Sequence, residues 1–352
     1  MLTIAPKEHS AWLAKVSASE VTFLRDLFLD YRPLSVSWSE GVVYLDRETR
    51  SLRYVTPDAD GTQREWPLPA NLTLYGPQPR LAVVGDRVYV AAGDDQAGSP
   101  ALFSGSLLDD QPDWSNAYPD ALSYRKEIDA LIVHGSRLIA VDDVVFPKYL
   151  FVLDGAEAAG APPRIHHLPG HGTYERVLSA CLCQSGLAVI STTTGMGGSG
   201  VHVSLLDLET LEETGCLSAH RGWDAENGAW TSNPKTLAEA LQDLRLGADL
   251  LACGSGRLVA ACGSHGVVIL NPERIDMTMD AADADTQSIA RAVGIDELLL
   301  PVRRDQGSGD APQTVTDVVG AGEAGCVAIV QFSSGYTESV LLTSDFLTIL
   351  LP

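Results

Sequence analysis

The sequence predicts an all-β fold built from repeated four-stranded antiparallel sheets. Three observations support this: short runs of β-branched and aliphatic residues recur along the chain, glycine-containing tight turns separate them, and this hairpin pattern occurs six times. Hydrophobic residues make up 45% of the 352 residues and charged residues 20%. That composition is typical of a globular protein and excludes wholesale disorder.

A helix is predicted ahead of the first repeat, over residues 17–31. Ser17-Ala-Ser-Glu20 has the form of a capping box, and Val21, Leu24, Leu27 and Phe28 follow at helical spacing. Residues 1–33 are therefore expected to form an N-terminal segment of their own. Its helix either covers one end of the repeat domain or docks a partner.

Each repeat begins with a hairpin whose turn contains glycine, the residue that adopts positive φ without steric cost. A third strand follows each hairpin, and a fourth follows most of them, as in residues 149–154 and 164–168. The six first strands are predicted to begin near Leu34, Arg80, Ile128, Val177, Asp249 and Val315.

These starting points are 46, 48, 49, 72 and 66 residues apart. Four-stranded units recurring at about 40–50 residues are the signature of propeller blades. The chain thus resembles β-propeller repeat proteins over about nine-tenths of its length, although the Trp-Asp and Gly-His pairs of WD40 repeats and the double glycines of kelch repeats are missing at the corresponding places. The resemblance implies a single six-bladed β-propeller over residues 34–352.

The two long spacings imply insertions of about 24 and 18 residues on a 48-residue unit, placed near residues 219–246 and 276–311. A helix is expected in each, over 235–246 and 286–300. Both insertions should lie on the face opposite the short first turns, together with loops at 93–100, 142–148 and 194–200. Loops on a rigid scaffold often carry function, so this loop-rich face is the expected working surface.

Gly195, Gly197 and Gly200 spell G-x-G-x-x-G, the pattern of a dinucleotide-binding loop. That reading needs a helix after the glycines, because the pyrophosphate sits at a helix N-terminus. Instead Val201 and Val203 alternate with polar residues, which indicates a strand. The glycines are therefore expected to form a hairpin turn, and no cofactor is predicted.

The first insertion carries the best binding candidates, Trp223 and Trp230, with the acidic neighbours Asp224 and Glu226. Two tryptophans in a polar loop are typical of an interface hot spot or a lid, though they could simply anchor the loop. A second candidate set is a ring of charged residues near the starts of the first strands. It consists of Arg32, Arg80, Asp129, Arg176, Asp249 and Asp317.

That ring mixes three cations with three anions, which suits mutual ion pairing or a polar ligand. A calcium cage would want oxygen ligands without arginines. His171, His220 and His265 are the histidines expected on the loop-rich face and so the candidates for acid–base work. None of the six cysteines forms the C-x-x-C knuckle that zinc prefers, so no metal site is predicted.

The formal net charge of −22 repels nucleic acid and anionic membranes and attracts cationic partners, while also favouring solubility. No signal peptide or membrane-spanning run of about 20 apolar residues is evident. We expect a soluble, cytoplasmic monomer with reduced thiols. One hypothesis is a non-catalytic scaffold, such as a neutralising or accessory protein, that binds a basic protein through its loop-rich face. The alternative is a hydrolase or lyase with its active site at the channel mouth.

Overall fold

The computed structural model describes the chain as a series of β-strands joined by turns. The residues described are 2–7, 10–17, 21–31, 33–58, 62–74, 80–94, 99–117, 128–142, 149–160, 162–167, 175–183, 186–195, 198–224 and 229–232, and after these the strands between 250 and 350. They contain no helix. The chain divides into two compact units: Met1–Pro6, Ser10–Val16 and Thr22–Leu168 form unit 1, and Lys7–His9, Ser17–Val21 and Pro169–Pro352 form unit 2.

The described residues of unit 1 form four antiparallel sheets, each made of strands that are neighbours in sequence; only Lys7 and Val21, at the ends of two strands of sheet 1, are assigned to unit 2. Sheet 1 has three strands, β1 (Leu2–Lys7), β2 (Ser10–Val16) and β3 (Val21–Asp26). Sheet 2 has four: β4 (Ser35–Trp38), β5 (Gly41–Asp46), β6 (Ser51–Val55) and β7 (Arg64–Pro67).

Sheets 3 and 4 complete unit 1. Sheet 3 has five strands, β8 (Leu72–Thr73), β9 (Arg80–Val84), β10 (Arg87–Asp94), β11 (Ser99–Ser106) and β12 (Ser115–Asn116). Sheet 4 has four, β13 (Ile128–His134), β14 (Arg137–Asp142), β15 (Tyr149–Leu153) and β16 (Pro163–His167).

The described residues of unit 2 form three further sheets. Sheet 5 has β17 (Glu175–Cys183), β18 (Gly186–Gly195), β19 (Gly198–Leu206), β20 (Glu213–Asp224) and β21 (Ala229–Ser232). Sheet 6 has β22 (Leu250–Ala252), β23 (Leu258–Ala261), β24 (Val267–Leu270) and β25 (Ile295–Leu299). Sheet 7 has β26 (Pro312–Gly320), β27 (Cys326–Phe332), β28 (Thr337–Leu342) and β29 (Thr348–Leu350).

The core of unit 1 consists of apolar layers between successive sheets. Strand β10 is apolar at every position from Val88 to Ala92 because both of its faces are covered. Val88 and Val90 pack with Trp66 of sheet 2, whereas Tyr89 packs with Phe151 of sheet 4. Since alternate residues of a strand face opposite sides, a sheet covered on both faces needs apolar residues on both.

First strands of successive sheets are neighbours in each unit, β4 with β9 and β9 with β13 in unit 1, and β17 with β22 and β22 with β26 in unit 2. Four-stranded sheets packed face to face, with their first strands adjacent, are the arrangement of propeller blades. Strands β4, β9, β13, β17, β22 and β26 begin within three residues of the six predicted starts, and in sheet 3 the two-residue strand β8 precedes β9.

The helix predicted over residues 17–31 is wrong. Residues 21–26 form β3 of sheet 1, so the described part of the chain contains seven sheets where six were predicted. The residues expected on one helix face also differ in exposure: Val21 is buried, whereas Leu24 and Phe28 are exposed. The apolar spacing is compatible with a helix or a strand, and residues 21–26 form a strand because they pair with β2.

The second insertion also differs from its prediction. Ile295–Leu299, at the end of the helix expected over 286–300, is strand β25 and pairs with β24 as the fourth strand of sheet 6. A sheet edge offers unpaired backbone groups, and satisfying them outweighs a local helical preference. The helix expected over 235–246 lies outside the described residues.

Candidate functional site

Sheet 5 carries the site candidates of the first insertion. Its four sequential strands are joined by a fifth, β21, which pairs antiparallel with the end of β20. Residues 219–224 and 229–232, expected to be loop, are therefore strands. The reason is that the edge of β19 remains available for pairing up to Gly198, which lies opposite Gly222.

Trp223 and Trp230 lie directly opposite each other in the β20–β21 register. Residues directly opposite in an antiparallel pair lie on the same face of the sheet, so the two tryptophans form a cross-strand pair. Arg221 and Ser232, two positions away, share that face. The pair stands at the end of sheet 5 where β20 extends beyond β19.

Asp224 lies opposite Ala229, at the register position next to the tryptophan pair. Successive residues of a strand lie on opposite faces, so Asp224 is not on the tryptophan face. The sequence grouped Asp224 with the tryptophans because all three fall in one short segment. Glu226 lies outside the described residues.

The glycine motif forms the predicted hairpin, between β18 and β19. Its Gly198 lies opposite Gly222 of β20, next to Trp223. Strand β18 ends at Gly195 and β19 begins at Gly198, and these two residues are paired. A strand follows the glycines, as predicted, whereas a phosphate-binding loop would be followed by a helix. The hairpin is tighter than the loop expected over 194–200, because only residues 196–197 separate the strands.

Of the three candidate histidines, the structure places His220, on β20 opposite Gly200. His171 and His265 lie outside the described residues.

Four members of the predicted charged ring fall on first strands of their sheets. Arg80 opens β9 and Arg176 is the second residue of β17, while Arg32 and Asp249 lie outside the described residues. Asp129 and Asp317 lie at register shifts in β13 and β26. Such bulges re-aim the chain locally, and nothing in the sequence signalled them.

The ion pairs of unit 1 have structural roles. Asp46, almost fully buried, accepts hydrogen bonds from the Tyr31 hydroxyl (3.2 Å) and from the backbone N–H of Glu48 (2.9 Å), and its other oxygen lies 3.1 Å from the Arg53 guanidinium. These contacts close the turn between β5 and β6. Burial raises the pKa of the Tyr31 phenol, and the neighbouring Asp46 carboxylate adds to the effect.

Asp154 is the second ionic centre, and it joins strands of sheet 4. Its two oxygens accept from Arg164 Nε at 2.6 Å and Arg137 Nε at 2.8 Å. The hydrogen bond from Arg164, with that from Arg137, lowers the pKa of the Asp154 carboxyl below its usual value. Within the described residues, no group of three or more His, Cys, Asp or Glu side chains could hold a metal ion.

The described part of the chain has no helix that is long and apolar enough to cross a bilayer. No protein-family model matches the chain, and no curated protein matches it.

Solved structures do match. A chain of the mitotic checkpoint complex shares 11% identity at a TM-score of 0.51, covering 96% of this chain and 83% of that one. Hsv2 of Kluyveromyces lactis shares 9% identity at a TM-score of 0.51, covering 100% of this chain and 94% of that one. At such identities the likeness concerns the fold alone, and it is the fold of the β-propeller proteins.

Proposed function

We propose that this chain is a non-catalytic β-propeller scaffold that binds a basic protein, with the tryptophan-bearing end of sheet 5 as its working surface. The observation that carries the proposal is the cross-strand pair of Trp223 and Trp230 on the β20–β21 hairpin. This hairpin adds a fifth strand to a sheet whose four-stranded pattern is already complete. An element added beyond the repeat is a natural place for a function that the repeat itself does not supply.

Paired tryptophans suit protein recognition. Each offers on the order of 150–250 Å² of rigid, largely apolar surface, and aromatic residues are enriched among the side chains that dominate interface energies. Their directly opposite register places both residues on one face of the hairpin. One of the solved structures similar in fold is itself a chain of a multiprotein complex, the mitotic checkpoint complex.

The charge of the chain supports a basic partner. At −22, the chain attracts cationic proteins over long range and repels nucleic acids and anionic membranes. Charge complementarity mainly raises the association rate and excludes wrong partners, while aromatic contacts slow dissociation. Charge and tryptophan pair thus have separate roles in one binding event.

The test is the double substitution Trp223→Ala/Trp230→Ala. Proteins retained from native extract by the wild-type chain are identified, and the dissociation constant of a purified basic partner is then measured. We expect the double variant to weaken binding by at least about tenfold, the usual cost of removing an aromatic hot spot. Thr231→Ala is the matched control, since Thr231 lies opposite Gly222 on the same hairpin, and it should leave the affinity unchanged.

Equal affinity of the double variant and the wild type, at equal thermal stability, would show that the tryptophans only support the hairpin. If the wild-type chain retains no basic protein but shows a hydrolase or lyase activity that the double variant loses, the enzymatic alternative replaces the scaffold.

A further inference from the structure

Phe28 is held out of the surface of unit 1 by the backbone around it. The phenyl ring is 87% exposed, although the flanking Leu27 and Leu29 pack against the buried cluster between sheets 1 and 2. Leu27 N–H donates to the Ala11 carbonyl and Ala11 N–H donates to the Leu29 carbonyl, both at 2.9 Å. Leu27 and Leu29 thus share Ala11 as their backbone hydrogen-bond partner, and Phe28, between these two anchored neighbours, bulges outward.

The outward conformation is fixed as well as unusual. Phe28 has φ 56°, in the left-handed region that a bulky side chain seldom adopts. Its N–H donates to Asp26 Oδ1 at 2.7 Å, and the same oxygen accepts from the Ser10 hydroxyl. Backbone strain that the surroundings over-determine is characteristic of binding sites, and an aromatic ring exposed to water adds a further cost.

We propose that Phe28 is an anchor that inserts into an apolar pocket of a basic protein. The proposal rests on the proposed function for the class of partner, and it adds a contact surface in unit 1. Leu24 on β3 is also exposed, and Asp26 and Asp30 lie two residues before and after Phe28 in the sequence. A pocket with a cationic rim is complementary to such an anchor.

Charge decides between this occupant and a second copy of the chain. In a two-fold symmetric dimer the same patch would face itself. Each chain would bring a net charge of −22 to that contact, so the two copies would repel each other at long range. A basic partner turns this repulsion into an attraction.

The first experiment replaces Phe28 with the photo-reactive analogue p-benzoylphenylalanine in the full chain. After irradiation in native extract, the cross-linked protein is identified, purified and titrated against the wild type, Phe28→Ala, Phe28→Gly and Leu108→Ala. Leu108 is the matched control, since it is 60% exposed and is followed by two aspartates. We expect a basic protein that binds Phe28→Ala and Phe28→Gly at least about tenfold more weakly than the wild type and Leu108→Ala.

Thermal unfolding separates an anchor from a structural residue. Glycine adopts positive φ freely, so Phe28→Gly should melt at or above the wild-type temperature although it binds poorly. A lower melting temperature for Phe28→Gly, equal binding by Phe28→Ala and Leu108→Ala, or cross-linking only to another copy of the chain would each overturn the anchor. If the purified partner is weakened by Trp223→Ala/Trp230→Ala but not by Phe28→Ala, the proposed function stands and only the anchor falls.

Discussion

Asp46 shows what a buried carboxylate needs in this fold. Its Oδ1 accepts from the Tyr31 hydroxyl and from the N–H groups of Glu48 and Thr49, while Oδ2 faces Arg53. The charged group is tolerated because donors and a cation replace its water shell. The same group placed where apolar residues pack would have no such compensation.

Val189→Asp tests this contrast. Val189 is fully buried in β18, with Ala180 and Ser204 opposite it in register. An aspartate there should lower the free energy of unfolding by about 3–5 kcal/mol, through lost packing and an uncompensated buried carboxyl group. The measurement is chemical denaturation at neutral pH.

Ile165→Asp provides the control for Val189→Asp, because it introduces the same side chain into a strand at a partly exposed position. Its effect should stay within about 1 kcal/mol. An unchanged stability of Val189→Asp would mean that Val189 does not contribute to the core of sheet 5.

At the scale of elements, the local signals that predicted correctly were those of hairpins. Glycine-containing turns between apolar runs predicted the starts of the six hairpin-opening strands (β4, β9, β13, β17, β22 and β26) to within three residues. Alternation after Gly200 correctly predicted a strand in place of the helix of a phosphate loop. Both signals depend only on neighbours in sequence, as turn geometry does.

The failures involved segments whose structure is set by a partner strand. Val21–Asp26 and Ile295–Leu299 have apolar spacings compatible with a helix, yet each pairs along a neighbouring strand. For the candidate site, the sequence supplied Trp223 and Trp230 but not their pairing, because register across a turn cannot be read from composition. The exposure of Phe28 depends on the hydrogen bonds of Ala11, which lies on another strand.

Asp154 connects the strands of sheet 4, and its ion pairs give a pH-dependent prediction. A carboxyl group whose pKa is lower in the folded state stabilises the fold above its ordinary pKa of 3.8, and that contribution is lost as the pH falls through the folded value. Asp154 is about half exposed, so water screens the pairs and the contribution should be under about 1 kcal/mol.

Asp154→Asn should therefore reduce the free energy of unfolding by a constant small amount above about pH 5, and the difference from the wild type should shrink below pH 3.8. Denaturation curves at a series of pH values measure it. Asp113→Asn, at an exposed position shortly before β12, serves as the control. A difference that persists unchanged into strong acid would assign the effect to packing or hydrogen bonding and not to the charge.

At the scale of the whole molecule, the fold and the large negative charge have separate roles in the proposed function. In the proposed function, the sheets are the rigid scaffold for Trp223, Trp230 and Phe28. The charge is expected to favour the approach of basic macromolecules, since long-range attraction acts before any contact is formed. Fold alone does not imply a function, so the two properties must be tested separately.

Salt offers that separation. The association rate of a basic partner should fall by about tenfold or more as ionic strength rises from roughly 0.01 M to 0.15 M, because the screening length shortens from about 30 Å to about 8 Å. Trp223→Ala/Trp230→Ala leaves the net charge at −22, so its association rate should show the same salt dependence while its dissociation rate increases. Stopped-flow or surface-based kinetics with the purified partner measures both rates. Association that does not respond to salt would rule out electrostatic recruitment, whereas a double variant that dissociates at the wild-type rate would locate the short-range contact away from sheet 5.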